Sequence, residues 1–333
     1  MSRQIRSDEH IALFIPGPTE VRPEVLAAQT RWMIGHRMPE CGDLIGAIEP
    51  KLQEVFMTRQ PVLLAASSGT GLMEAAIRNC VGRKVLHCVN GAFSDRWHEL
   101  TVANGKANEV LEVAWGRPIQ PEMVAQRLAE GGFDAVAITH NETSTGVTNP
   151  VREIARAVRA LPGGDEILIL VDSVSGMAGA RLEFDAWDLD VVLTASQKAF
   201  ALPPGLAFAA VSQRAMARAV EVTDRGYYFD FLLLEKYLRK NQTPATPAIS
   251  LLYALDCQLD RILAEGLEAR FERHLQMRDR TLSWARARGF DVFAEEDYES
   301  PTVTCVANSL GIDIPDLNRY LRSKRMILSN GYG

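Results

Sequence analysis

Seven short apolar runs, separated by stretches with helical periodicity, constrain this chain more than any other feature. They are VLLAA (62–66), KVLHCV (84–89), EVLEVAW (109–115), DAVAITH (134–140), EILILVD (166–172), DVVLTAS (190–196) and LAFAAVS (206–212). Runs that are apolar almost throughout, rather than alternating, suit strands buried on both faces. The stretches between them, GLMEAAIRNC (71–80), FSDRWHELTVANG (93–105), PEMVAQRLAEGG (121–132) and VREIARAVRAL (151–161), read as helices. The alternation predicts an α/β fold with a mostly parallel central sheet flanked by helices. Past NQTPATPAIS (241–250) the character changes to a helical pattern from Ile249 to Gly289, a strand candidate TVTCVA (302–307) and a helix over DIPDLNRYLRSKRM (313–326). This predicts a short N-terminal segment over 1–20, a large domain over 21–245 and a smaller C-terminal α+β domain over 246–333.

Composition narrows the function. Acidic residues outnumber basic ones by 42 to 36, and there is no long basic run, so the charge footprint of a nucleic-acid binder is missing. No segment approaches the ~18 uncharged apolar residues of a membrane span. The opening MSRQIRSDEH lacks an apolar targeting core. Cys41, Cys80, Cys88, Cys257 and Cys305 are scattered without a C-x-x-C pair, which fits reduced thiols in the cytoplasm better than disulfides or a zinc site. Small molecules are the expected partners.

In an open α/β sheet, ligands bind beyond the carboxyl ends of the strands, and polar residues gather there. VLLAA runs into SSGTG and then a helix. Its backbone N–H groups, with the hydroxyls of Ser68 and Thr70, form either a phosphate cradle or a simply capped turn. The spacing matches neither G-x-x-x-x-G-K-[ST] nor G-x-G-x-x-G. Asp172 ends EILILVD, where a carboxylate is costly unless a charge meets it or it caps a helix. Lys198 follows DVVLTAS; alone, it could simply extend to solvent. Together, a cradle, an acid and a lysine at neighbouring strand ends supply what pyridoxal 5′-phosphate requires: a phosphate anchor, a partner for the ring nitrogen and an amine for the aldehyde.

Around these residues the chain resembles the class V aminotransferases of pyridoxal-phosphate fold type I, and within them the alanine–glyoxylate and serine–glyoxylate or pyruvate group. The likeness runs in order through FIPGPTEVRPEVLAA (14–28), MIGHR (33–37), SSGTGLMEAA (67–76), NGAFSDRW (90–97), THNETSTGV (139–147), LVDSVSGMAG (170–179), TASQKAFALPPGLAF (194–208) and TPATPAISLLYAL (243–255). It implies transamination between a small amino acid, alanine or serine, and a small 2-oxo acid, glyoxylate or pyruvate. It implies that Lys198 carries the cofactor and moves the proton, and that Asp172 binds the ring nitrogen. Ser68, Gly69 and Thr70 would hold the phosphate, with Gln197 adding its amide. Phe93 would stack on one face of the ring and Val174 on the other, with Ser144 near the ring oxygen. The resemblance further implies a homodimer in which Thr246, or else Thr243, reaches the partner's cofactor, and a substrate mouth lined by Gly17.

Two departures from the family pattern stand out. Several members have histidine where Thr70 stands, and many continue into a stretch resembling FRIGHMG, whose arginine binds the substrate carboxylate. Arg319, Arg322 and Arg325 have the spacing of a solvated helix face. The expectation is therefore that the natural protein continues beyond Gly333, with Arg37 the next candidate inside the sequence. The alternative chemistries are those of a cysteine desulfurase or lyase, or of a transaminase acting on a phosphonate. Desulfurases and lyases usually place a histidine before the lysine, where Gln197 stands, and use a reactive loop cysteine, whereas Cys305 lies in a strand-like run. The PGPTEVRP and IGHR segments favour the glyoxylate group over the phosphonate one.

Overall fold

A computed structural model describes residues 10–332; residues 1–9 of the expected N-terminal segment, and Gly333, lie outside the described residues. The seven apolar runs form one seven-stranded sheet: β1 (Val62–Ala65), β2 (Val85–Val89), β3 (Asn108–Glu112), β4 (Ala135–Thr139), β5 (Leu168–Asp172), β6 (Val191–Ala195) and β7 (Ala207–Val211). Their order is β1-β7-β6-β5-β4-β2-β3. Strand β7 runs antiparallel to β1 and β6, and every other pair is parallel. Six carboxyl ends therefore share one edge. All strands but β3 are buried along their whole length, as unbroken apolar runs require of a sheet covered on both faces. Edge strand β3 is half-buried, and there the sequence carries its charges. Helices Gly69–Cys80 and Ala92–Ala103 begin directly after β1 and β2, so their N-termini face that edge too.

Three expectations about the C-terminal part need correction. The helical run from Ile249 to Gly289 is two helices, Ile249–Glu265 and Leu267–Arg286, separated at Gly266, whose φ of 82° suits glycine. The first packs on helices Pro23–Ala28 and Pro39–Phe56 and sends Leu252, Leu255, Leu259 and Ile262 into the same core as the sheet, although it lies beyond residue 245. Secondly, TVTCVA is not a strand: Val306 alone bridges to Val292. Its approach is fastened instead to the large domain, Ser300 N donating to Gly146 O and Thr302 Oγ1 to Ser175 O. Thirdly, the last helix stops at Ser323, and Met326–Leu328 forms a strand parallel to Ala12–Phe14. Arg325, at φ 59°, makes the turn between them.

Because Leu255 is fully buried in the sheet's core, Leu255→Ala should cost about 2–5 kcal/mol in one cooperative transition of the apoprotein in urea. A separate early transition carrying the whole loss would instead put this helix in an independent unit.

Candidate active site

The parallel edge brings the expected residues together. Asp172 is the last residue of β5 and pairs in register with Leu193 of β6, the strand that leads to Lys198. Asp172 is 3% exposed, and its Oδ1 accepts the Val174 N–H at 2.8 Å. Among the described residues, no lysine, arginine or histidine makes an ion pair with it. Burial pushes its carboxyl up to about 7; the Val174 hydrogen bond opposes the rise, the Glu142 charge adds to it, and Lys198 counters it from a distance. A buried acid with one hydrogen bond and no counter-ion is set up to receive a cation. Lys198 Nζ donates to the carbonyl of Pro16 at 2.6 Å. Burial lowers its pKa, partly offset by Asp172, so the amine is the more readily found neutral and nucleophilic.

The cradle takes its shape from Gly69. A Cβ there would stand 2.5 Å from Val174 Cγ2, so only glycine lets the loop after β5 approach the N-terminus of helix Gly69–Cys80. Ser68 is that helix's N-cap, and its hydroxyl makes no capping bond. Ser68 and Thr70 are exposed at the helix end, where the first N–H groups have no intrahelical acceptor. Gln197 is half-buried, and its Oε1, an acceptor, is enclosed without a partner. A lysine of lowered basicity, an acid without a cation and a helix N-terminus with free N–H groups fit the aldehyde, the ring nitrogen and the phosphate of pyridoxal 5′-phosphate.

Phe93 stands half-buried in the first turn of helix Ala92–Ala103, with the Tyr332 ring edge-on at 5.3 Å and the Arg96 guanidinium 5.0 Å from its centroid. Ser144 is buried, and its hydroxyl is already engaged: it donates to Glu142 Oε1 at 2.6 Å and accepts the Ala92 N–H at 2.9 Å. Toward a ligand it can therefore only accept. Glu142, which sequence reasoning missed, organises this corner. Fully buried, it accepts the N–H groups of Phe93, Ser94 and Ser144 and the Ser94 hydroxyl. It is a carboxylate cap on a helix whose own N-cap, Gly91, has none to offer. The available signal was an acid directly after a strand, facing a helix start without a Ser, Thr or Asp cap.

The N-terminal segment closes over the lysine. Gly17, at φ 139°, lies so close that a Cβ would stand 2.9 Å from Lys198 Nζ. Arg37 departs from its expected role as a free fork for a substrate carboxylate. It donates to Gln242 Oε1, Thr243 O and Pro244 O at 3.2, 2.7 and 3.1 Å, and lies over the Tyr237 ring. These bonds hold the TPATP connector, in which Thr243 is buried with its hydroxyl on Ala245 O while Thr246 is exposed. Arg319 pairs with Asp316 on the exposed face foreseen for it.

Two measurements probe the buried acids. Glu142→Ala strips five backbone and hydroxyl donors of an acceptor, and should destabilise the apoprotein by about 2–4 kcal/mol and weaken cofactor retention. For Asp172 the folded-state pKa lies above the ordinary 3.8, so its contribution to stability is intact below that value and declines as pH rises toward 7. Wild-type apoprotein should therefore lose stability relative to Asp172→Asn between pH 4 and pH 8, by a few kcal/mol at most. A pH-independent difference in denaturation midpoints would refute the assignment.

Comparison with known proteins agrees with this geometry. Residues 17–332 match the family model of class V aminotransferases. The L-aspartate–glyoxylate aminotransferase of Paracoccus denitrificans is 36% identical over 79% of this chain and 67% of its own length. The serine–glyoxylate aminotransferase of Methylorubrum extorquens is 32% identical over 90% of this chain and 77% of its own. Among solved structures, an alanine–glyoxylate aminotransferase from Nostoc sp. superposes with a TM-score of 0.93 at 28% identity, covering 100% of this chain and 89% of that one. With a family match along nearly the whole described chain, and with an acid, a lysine and an uncapped helix N-terminus meeting at one sheet edge, this chain belongs to the class V aminotransferases, the pyridoxal 5′-phosphate enzymes of fold type I.

Proposed function

We propose that this enzyme transfers an amino group between a small amino acid, alanine or serine, and a small 2-oxo acid, glyoxylate or pyruvate. The observation that carries the reading is the Asp172–Lys198 arrangement at adjacent strand ends, a buried acid lacking a cation beside an amine of lowered basicity. Glyoxylate is favoured as acceptor because the relatives named for aspartate, serine and alanine donors all share it. A desulfurase reading fares worse: the Cys305 thiol is half-buried, pushed up by that burial, and packed against Ser144 O, the reverse of what a persulfide carrier needs.

When bound, pyridoxal 5′-phosphate supplies an aldehyde for the amino group and a ring that draws electrons from the substrate Cα. Asp172 holds the proton on the ring nitrogen. Lys198 Nζ would carry a proton from the substrate Cα to the cofactor carbon that bears the aldehyde in the first half of the cycle, and in the opposite direction in the second. The Pro16 carbonyl, 2.6 Å away, is the acceptor that keeps the amine in place while it is free. Phe93 and Val174 would lie on either side of the ring and keep water from it. The helix N-terminus at Ser68–Thr70 anchors the phosphate. The reading includes a homodimer, supported by the exposed Thr246 on a connector stiffened by Arg37 and by the prevalence of two-fold dimers. It also includes a cytoplasmic location, supported by five unbonded cysteines.

Incubating the purified enzyme with single amino acids and following its visible absorbance should show alanine or serine as productive donors, with glyoxylate restoring the starting spectrum. Borohydride reduction should fix the cofactor to Lys198, and Lys198→Ala should lose both the attachment and turnover. Labelling of Lys106 or Lys236 instead would end this reading.

A further inference from the structure

The turn that carries Lys198 is held from outside. Beyond the end of β6 its own bonds run from Ala201 N to Lys198 O at 2.8 Å, from Leu202 N to Ser196 O at 3.1 Å and from Ser196 Oγ to Pro203 O at 2.8 Å, and none of these engages the carbonyls of Gln197 or Ala199. Thr19 fastens it on one side, its N–H reaching Gln197 O at 3.0 Å and its hydroxyl reaching Lys198 O at 3.0 Å. Arg270, on helix Leu267–Arg286, fastens it on the other, donating from Nη2 to Ala199 O at 2.5 Å. The same guanidinium donates from Nε to Ala178 O at 2.6 Å. Ala178 lies on the loop that leaves β5 at Asp172, and adopts φ 67°. Arg270 is 7% exposed, and its remaining nitrogen meets Glu265 at 2.7 Å, so its charge is balanced without any ligand.

A guanidinium is a rigid planar fork. Two carbonyls seated on one fork cannot drift apart, and here they belong to the loops that bear the acid and the lysine. We propose that Arg270 is a positioning residue for the reaction: by bridging Ala178 and Ala199 it fixes Lys198 relative to Asp172, and so sets where Nζ meets the substrate Cα. This rests on the reading that Lys198 carries the cofactor. The competing view makes Arg270 an anchor for its helix only, in which case its loss lowers stability and leaves the lysine's behaviour alone.

The holoenzyme distinguishes the two with Arg270→Met and Arg270→Lys; lysine keeps the charge facing Glu265 but cannot span both carbonyls. Reactive groups misplaced on the ångström scale lose about ten- to a hundredfold in rate, so kcat should fall by about that factor while KM for the amino donor stays within about threefold. The pH midpoint of the cofactor's visible absorbance change, which reports on the lysine-bound state, should move away from the wild-type value. Added guanidinium ion should restore part of kcat to Arg270→Ala. Lower thermal stability with wild-type kcat and an unmoved midpoint would overturn the proposal. If Arg270→Met fails to fold, the same wild-type values in Arg270→Lys overturn it equally. Thr19→Val, which removes only the hydroxyl on Lys198 O, should shift the midpoint in the same direction by a smaller amount. Borohydride labelling of wild type at a different lysine would defeat the cofactor assignment itself, a result separable from unchanged kinetics in variants still labelled at Lys198.

Discussion

A carboxylate held in the interior without a counter-ion is the constraint around which this protein is built. Asp172 closes a strand whose other residues, Leu168 to Val171, are wholly apolar and buried. The folded chain supplies it with one backbone N–H and a distant ammonium. Desolvating a charge to this degree costs several kcal/mol unless a partner arrives. On the proposed reading the cofactor's ring nitrogen is that partner, and cofactor binding and conformational stability would be linked through one residue. The reversed strand β7 leaves six carboxyl ends on one edge; that geometry lets the phosphate cradle and the lysine meet the acid.

Glu142 makes the contrast plain. It is at least as deeply buried as Asp172 and sits in the short strand Asn141–Glu142, which follows the neighbouring strand β4 and pairs with Val147–Thr148. Yet its oxygens are filled by backbone and hydroxyl donors from a helix N-terminus. Two acids, one ending a strand and one three residues past its neighbour, thus have different duties: one is left for a ligand, and the other is satisfied by the fold and shapes the site. Their environments, not their depth, separate the roles.

Much of this was legible in the chain. The seven strands could be read because buried strands must be apolar on both faces, which leaves an unbroken signature in the sequence. Asp172 and Lys198 could be read because charged residues at the ends of such strands are conspicuous. The direction of β7 was not legible, since an apolar run looks the same in either sense. Met326–Leu328 hid inside a helical pattern because three residues carry too little periodicity to separate strand from helix. TVTCVA looked like a strand but has no continuous partner, and pairing is a property of the neighbour as much as of the run. Glu142, Thr19 and Arg270 act through contacts with residues far along the chain, such as Phe93, Lys198 and Ala199. For such residues the sequence shows an ordinary acid, hydroxyl or base.

The parallel pairing of Ala12–Phe14 with Met326–Leu328 joins segments more than three hundred residues apart. Contacts of such separation carry a large loop-closure entropy and form late, after the local contacts that support them. The short segment after Phe14 delivers the Pro16 carbonyl and Gly17 to the lysine. The last strand of the chain therefore braces the mouth from its outer side, while Thr19, bonded to Gln197 and Lys198, braces it from the inner one, so that both ends of the sequence bear on one amine.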